Sequence, residues 1–96
     1  MKTTEATPLK FAKIDALRVH MLLSVTDMAR LLGVSRVTYY NWKSVGHLPE
    51  RSSTYTKKVL KELLRVMVEH EWPSPRVIAM TPEERLEELQ KLIKVV

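Results

Sequence analysis

Chemistry needs particular side chains at particular spacings, and this chain offers few such sets. Three histidines, His20, His47 and His70, stand 27 and 23 residues apart, and there is no cysteine, so no ligand spacing for zinc is present. Serine, histidine and aspartate all occur, but no nucleophile elbow, phosphate loop or pair of catalytic carboxylates can be placed. The glutamate pairs Glu83-Glu84 and Glu87-Glu88 read as a helix cap and a solvated helix face. No enzyme activity, metal or cofactor is therefore expected. What remains is positive charge. Residues 1–24 carry a net +2, residues 25–61 +5 and residues 62–96 −2, within a total of +5. A basic centre of this kind attracts phosphate backbones through counterion release. The competing reading is a lysine-rich surface that serves solubility alone.

Ninety-six residues make one domain with a modest core. Hydrophobic residues at 45% and charged residues at 28% mark a globular chain rather than a disordered one. Two glycines and five prolines are too few for a turn-rich all-β protein. The lack of cysteine excludes a disulfide scaffold and fits a reducing compartment. The first residues, MKTTEATPLK, lack the apolar core of a signal peptide, and no apolar run approaches the length of a bilayer span. The expected location is the cytoplasm, with neither a membrane partner nor a small-molecule ligand indicated.

The periodicity predicts a string of helices. Thr7 and Pro8 read as the cap and first position of helix one, with Phe11, Ile14, Leu17 and Met21 forming its apolar stripe. Ser24 caps a short helix two, Val25 to Leu32, which Gly33 stops. Ser35 caps helix three, Arg36 to Ser44. The loop VGHLPERSS follows. Helix four is expected from Thr54 to Glu69, with Tyr55, Val59, Leu63, Val66 and Met67 on one face. EWPSPRVIAM carries two prolines, cannot be a continuous helix, and is read as extended, with Arg76–Met80 a strand candidate. Thr81-Pro82-Glu83-Glu84 starts a last helix that runs to Lys94. The expected fold is all-α, a compact bundle of about five helices with a C-terminal helix after a proline-rich connection. The expected division is residues 1–71 as one domain and 72–96 as a connection and helix.

The informative stretch is SVTDMARLLGVSRVTYYNWKSVGHLP, residues 24–49. Two short helices meet across Leu32-Gly33-Val34-Ser35. Gly33 can take the left-handed conformation that reverses the chain, and Ala29 leaves room where the axes approach. Val34 plugs the angle between the helices, and Tyr39 and Trp42, three apart, face the core together. The pattern Ala29-x-x-x-Gly33-Val34-Ser35-x-x-Thr38-x-x-x-Trp42 resembles the DNA-binding helix-turn-helix of phage repressors and Cro-like regulators. The run from Trp42 through Gly46 to Pro49 is similar to the tryptophan–glycine–proline signature of the xenobiotic-response-element type family. The likeness covers about residues 9–68. The family usually carries a β-branched aliphatic where Tyr39 stands, and the tail after Glu71 has no counterpart in it.

The resemblance implies that helix three lies in the DNA major groove while helix two crosses the backbone. With Tyr39 and Trp42 inward, the opposite face is Arg36, Val37, Tyr40 and Asn41. Arg36 suits a bidentate contact with guanine, Asn41 one with adenine, and Val37 a thymine methyl, while Tyr40 suits a phosphate or sugar. Backbone positioning falls to Thr26, Thr38, Lys43, Ser44 and His47, and to Arg51, Ser52 and Ser53 in the loop before helix four. Lys57 and Lys58 add to the field. Leu86, Leu89, Ile93 and Val96 recur at three and four, a stripe that either packs on its own domain or pairs with a second chain. A module that reads about four or five base pairs gains reach as a homodimer on a palindrome, with this stripe as the favoured interface. The expected function is sequence-specific double-stranded DNA binding by a phage- or mobile-element-type repressor. The alternatives are a phage DNA-packaging or recombination accessory factor, and a protein-interaction module such as an antirepressor or polymerase inhibitor.

Overall fold

The computed structural model describes residues 9–94. These described residues form six α-helices in chain order: α1 (Phe11–His20), α2 (Val25–Leu32), α3 (Arg36–Val45), α4 (Glu50–Glu69), α5 (Pro75–Ile78) and α6 (Pro82–Leu92). Among the described residues there is no strand, only an isolated antiparallel bridge between Lys10 and His47. The class is all-α. No helix among the described residues is long and apolar enough to cross a membrane.

Each end of this architecture has a local cause, and several differ from the sequence expectation. Helix one begins at Phe11, not at Pro8; Thr7 and Pro8 lie outside the described residues. Lys10 is held extended (φ −79°, ψ 133°) because the segment before α1 pairs with the loop after α3. Phe11 N–H donates to Gly46 O at 3.0 Å, and Leu48 N–H to Leu9 O at 3.1 Å. Helix α4 starts at Glu50, four residues before Thr54, with Pro49 as its extended N-cap. The serines that read as loop formers instead serve the first turn: Ser53 Oγ donates to Pro49 O at 3.1 Å. The buried stripe of α4 is Ser53, Thr56, Val59, Leu63 and Val66, which leaves Tyr55 beside it and exposed.

The stretch after α4 is helical at Pro75–Ile78, where a strand had been a candidate. Ser74 caps the turn by accepting from Val77 N–H at 3.3 Å, and Pro75 takes the first helical position, where a missing N–H costs nothing. Helix α6 opens with a full capping box between Thr81 and Glu84. It ends at Leu92 rather than Lys94, because α4 draws its end away. Arg65 Nη2 donates to Leu92 O at 2.7 Å, and Glu62 Oε1 accepts from Lys94 N–H at 2.8 Å.

The expected boundary at residue 71 is not a division of the structure. Trp72, Val77, Leu86 and Leu89 are buried in the same hydrophobic cluster as Phe11, Ile14, Met28, Trp42, Val59 and Leu63. The Trp72 indole N–H donates to Met21 O at 2.9 Å inside that core. Arg85 on α6 donates to Val77 O (3.0 Å), Met80 O (2.9 Å), Leu22 O (3.3 Å) and Ile78 O (3.4 Å), joining the tail to the turn after α1. The stripe favoured as a dimer interface is therefore occupied within its own chain. Leu86 and Leu89 are buried, Ile93 packs half-buried on the same core, and Val96 lies outside the described residues. Side chains already removed from water in one protomer have no apolar surface left to offer a second.

Candidate nucleic-acid interface

The geometry of residues 24–49 starts from three local devices. Ser24 caps α2 by accepting from Asp27 N–H at 3.0 Å. Gly33 ends it in the left-handed region at φ 73°. A Cβ added to Gly33 would sit 3.9 Å from Tyr55 Cε2, an ordinary contact, so the backbone angle rather than crowding selects glycine. Ser35 then caps α3, accepting from Thr38 N–H at 3.1 Å and donating its own proton to Thr38 Oγ1 at 3.1 Å. Helix α3 packs on α1 and α2. Ala29 is buried where α2 faces the turn, and Val34 packs half-buried against the core.

Helix α3 has two chemically distinct sides. Tyr39 is 1% exposed and Trp42 4%, with the Tyr39 ring edge-on to Phe11 at 4.9 Å between centroids. Opposite them, Arg36, Val37, Tyr40 and Asn41 are all exposed, Val37 at 69% and Tyr40 at 43%. Two open depressions flank this side. One, of about 400 Å³, is lined by Thr26, Ala29, Arg30, Gly33, Val34 and Arg36. The other, of about 460 Å³, is lined by Thr38, Asn41, Trp42, Val45, His47 and Pro49. The four side chains expected to face base edges thus share one surface, and concave ground lies on either side of it.

The expected backbone contacts divide. Thr26, Lys43, Ser44, His47 and Arg51 are exposed, and Thr26 and His47 each line one of the depressions. Thr38 and Ser52 are half-buried, and the Thr38 hydroxyl is engaged with Ser35. Ser53 is a correction. It is buried in the first turn of α4 with its proton donated to Pro49 O, so it cannot meet an external phosphate. Arg51 and Ser52 likewise belong to α4 rather than to a loop.

Sequence reading missed Arg30 and Asp15. Arg30 lines the first depression beside Thr26 and Arg36, and its position four residues after Thr26 on helix two was a usable signal. Asp15 had none, because its partner is 24 residues away: Tyr39 Oη–H donates to Asp15 Oδ1 at 3.0 Å. The same oxygen accepts from Arg18 Nε at 2.7 Å. That Arg18 hydrogen bond, with help from Tyr39 and the nearby charge of Lys43, holds the Asp15 carboxyl below its usual range. Burial first, and then the Asp15 carboxylate, push the Tyr39 phenol well above its ordinary value.

Compared with protein-family models, with curated proteins and with solved structures, the chain matches none.

Proposed function

We propose that this protein is a sequence-specific double-stranded DNA-binding regulator of the phage-repressor, Cro-like type, which acts by occupying an operator. One observation carries the reading. Arg36, Val37, Tyr40 and Asn41 stand exposed together on α3 while Tyr39 and Trp42 anchor its other side in the core. A helix is about as wide as the major groove can admit, so a side that offers a guanidinium, an amide and an apolar contact suits base-edge reading. Arg36 would take guanine O6 and N7, Asn41 adenine N6 and N7, and Val37 a thymine methyl, with Tyr40 on the sugar or phosphate. Thr26, Arg30, Lys43, Ser44, His47 and Arg51 would set the register on the backbone.

A homodimer on a palindrome belongs to the same proposal, because one module of this size reads few base pairs. Its two-fold contact has to use side chains other than the α6 stripe, such as exposed Leu64 and Val68 on α4. Gel retardation of a random duplex at low salt tests the reading. Retardation that weakens steeply with salt is the expected result, with log K falling by about 0.9 per phosphate neutralised for each decade of salt. No retardation at any salt favours the protein-interaction alternative. Light scattering in the same buffer separates a dimer, as expected, from a ring of eight or more, which favours a packaging role.

A further inference from the structure

Behind the outward side of α3 sits a small polar relay that joins three elements. Asp15 on α1 accepts from the Tyr39 hydroxyl on α3 at 3.0 Å and from Arg18 Nε at 2.7 Å, both at Oδ1. Arg18 Nη1 in turn donates to Leu23 O at 3.0 Å, in the turn that leads into α2. One carboxylate therefore ties the start of helix two and the middle of helix three to the same point on α1. The Tyr39 ring packs edge-on to Phe11, and the hydrogen bond from its hydroxyl to a charged acceptor adds a directional contact that is among the stronger ones. The phenol oxygen also lies at the far end of a rigid ring. Fixing it restrains the rotation of α3 about its own axis more tightly than fixing a short side chain would.

We infer that Asp15 is a specificity-determining positioning residue: through the Tyr39 hydroxyl it fixes how α3 presents Arg36 and Asn41. This rests on the DNA-binding reading above. Two substitutions separate the anchor from the charge. Tyr39→Phe removes the anchor and leaves the carboxylate. Asp15→Asn keeps an acceptor oxygen for Tyr39 and removes the charge.

The test measures dissociation constants of the wild type and both variants for a selected target duplex and for a random duplex of equal length at one salt concentration. Far-UV circular dichroism checks that each variant is folded. Base-edge contacts tolerate only about half an ångström of displacement, so Tyr39→Phe is expected to weaken target binding about tenfold and leave random binding within about twofold. Asp15→Asn removes a negative charge that acts on the phosphates of either duplex, so it is expected to shift target and random binding by about the same factor and to leave their ratio within about twofold. Equal changes on both duplexes in Tyr39→Phe would overturn the inference, since a merely structural role moves both together. Amide exchange of Tyr39–Val45 in the free protein reads the anchor without DNA. It is expected to quicken in Tyr39→Phe but not in Asp15→Asn, and unchanged exchange in Tyr39→Phe would overturn the anchor. Failure of the wild type to bind any duplex would instead remove the DNA-binding reading, and with it the role of Asp15 in specificity.

Discussion

Replacing Trp72 with alanine is expected to lower the stability of the whole protein by about 3–5 kcal/mol, the cost of emptying a large aromatic site in a core. The indole is buried among residues from both ends of the chain, and its N–H is the partner of Met21 O in the interior. Alanine leaves a cavity and an orphaned buried carbonyl together, and such an acceptor is expensive without a partner. The measurement is urea denaturation followed in two ways. With Trp72 gone, Trp42 on α3 is the remaining tryptophan of the two in the chain, so its emission reports on the candidate interface while far-UV circular dichroism reports on all helices. One core predicts coincident transitions, both displaced to lower urea. A separable tail would predict that the Trp42 transition stays where the wild type has it.

The second large effect is on binding. Arg36→Ala is expected to weaken the selected target by about 1–3 kcal/mol, a factor of roughly 5 to 150, and to relax the preference at one base pair. Arg36 is exposed at the first turn of α3, free of any carboxylate partner among the described residues, and lines the depression it shares with Thr26 and Arg30. The fold should be untouched, because the residue buries little. Competition binding against a set of single-base variants checks the prediction. An unchanged profile across the set would move base reading away from this end of the helix.

Which parts were legible in the sequence follows from the range of the interactions that build them. The segment from Ser24 to Val45 was readable because its determinants are local. A serine caps each helix three residues ahead of the N–H it accepts, one glycine takes φ 73°, and Tyr39 and Trp42 fall on one side by helical spacing alone. The outward placement of Arg36, Val37, Tyr40 and Asn41 follows from the same spacing.

What escaped sequence reading depends on partners far along the chain. The start of α1 is set by pairing of Lys10 with His47, the end of α6 by Glu62 and Arg65, and the Asp15 relay by a tyrosine on another helix. The tail shows the same limit. Apolar spacing in Leu86, Leu89 and Ile93 says that the stripe is buried, but not against which chain. The bond that ties α6 back to the turn after α1, Arg85 to Leu22, spans 63 residues. The prolines in EWPSPRVIAM predict a break in the helix, yet Pro75 occupies the first helical position, which suits it.

The most direct measurement is a map of amide and side-chain chemical shifts of the protein as a target duplex is titrated in. The largest changes are expected at Arg36, Val37, Tyr40 and Asn41, with Thr26 and Arg30 next, and little change at Leu64, Val68 or along α6. Silence along the outward side of α3, with the changes gathered instead on the second half of α4 or on α6, would contradict the claim that this helix reads DNA.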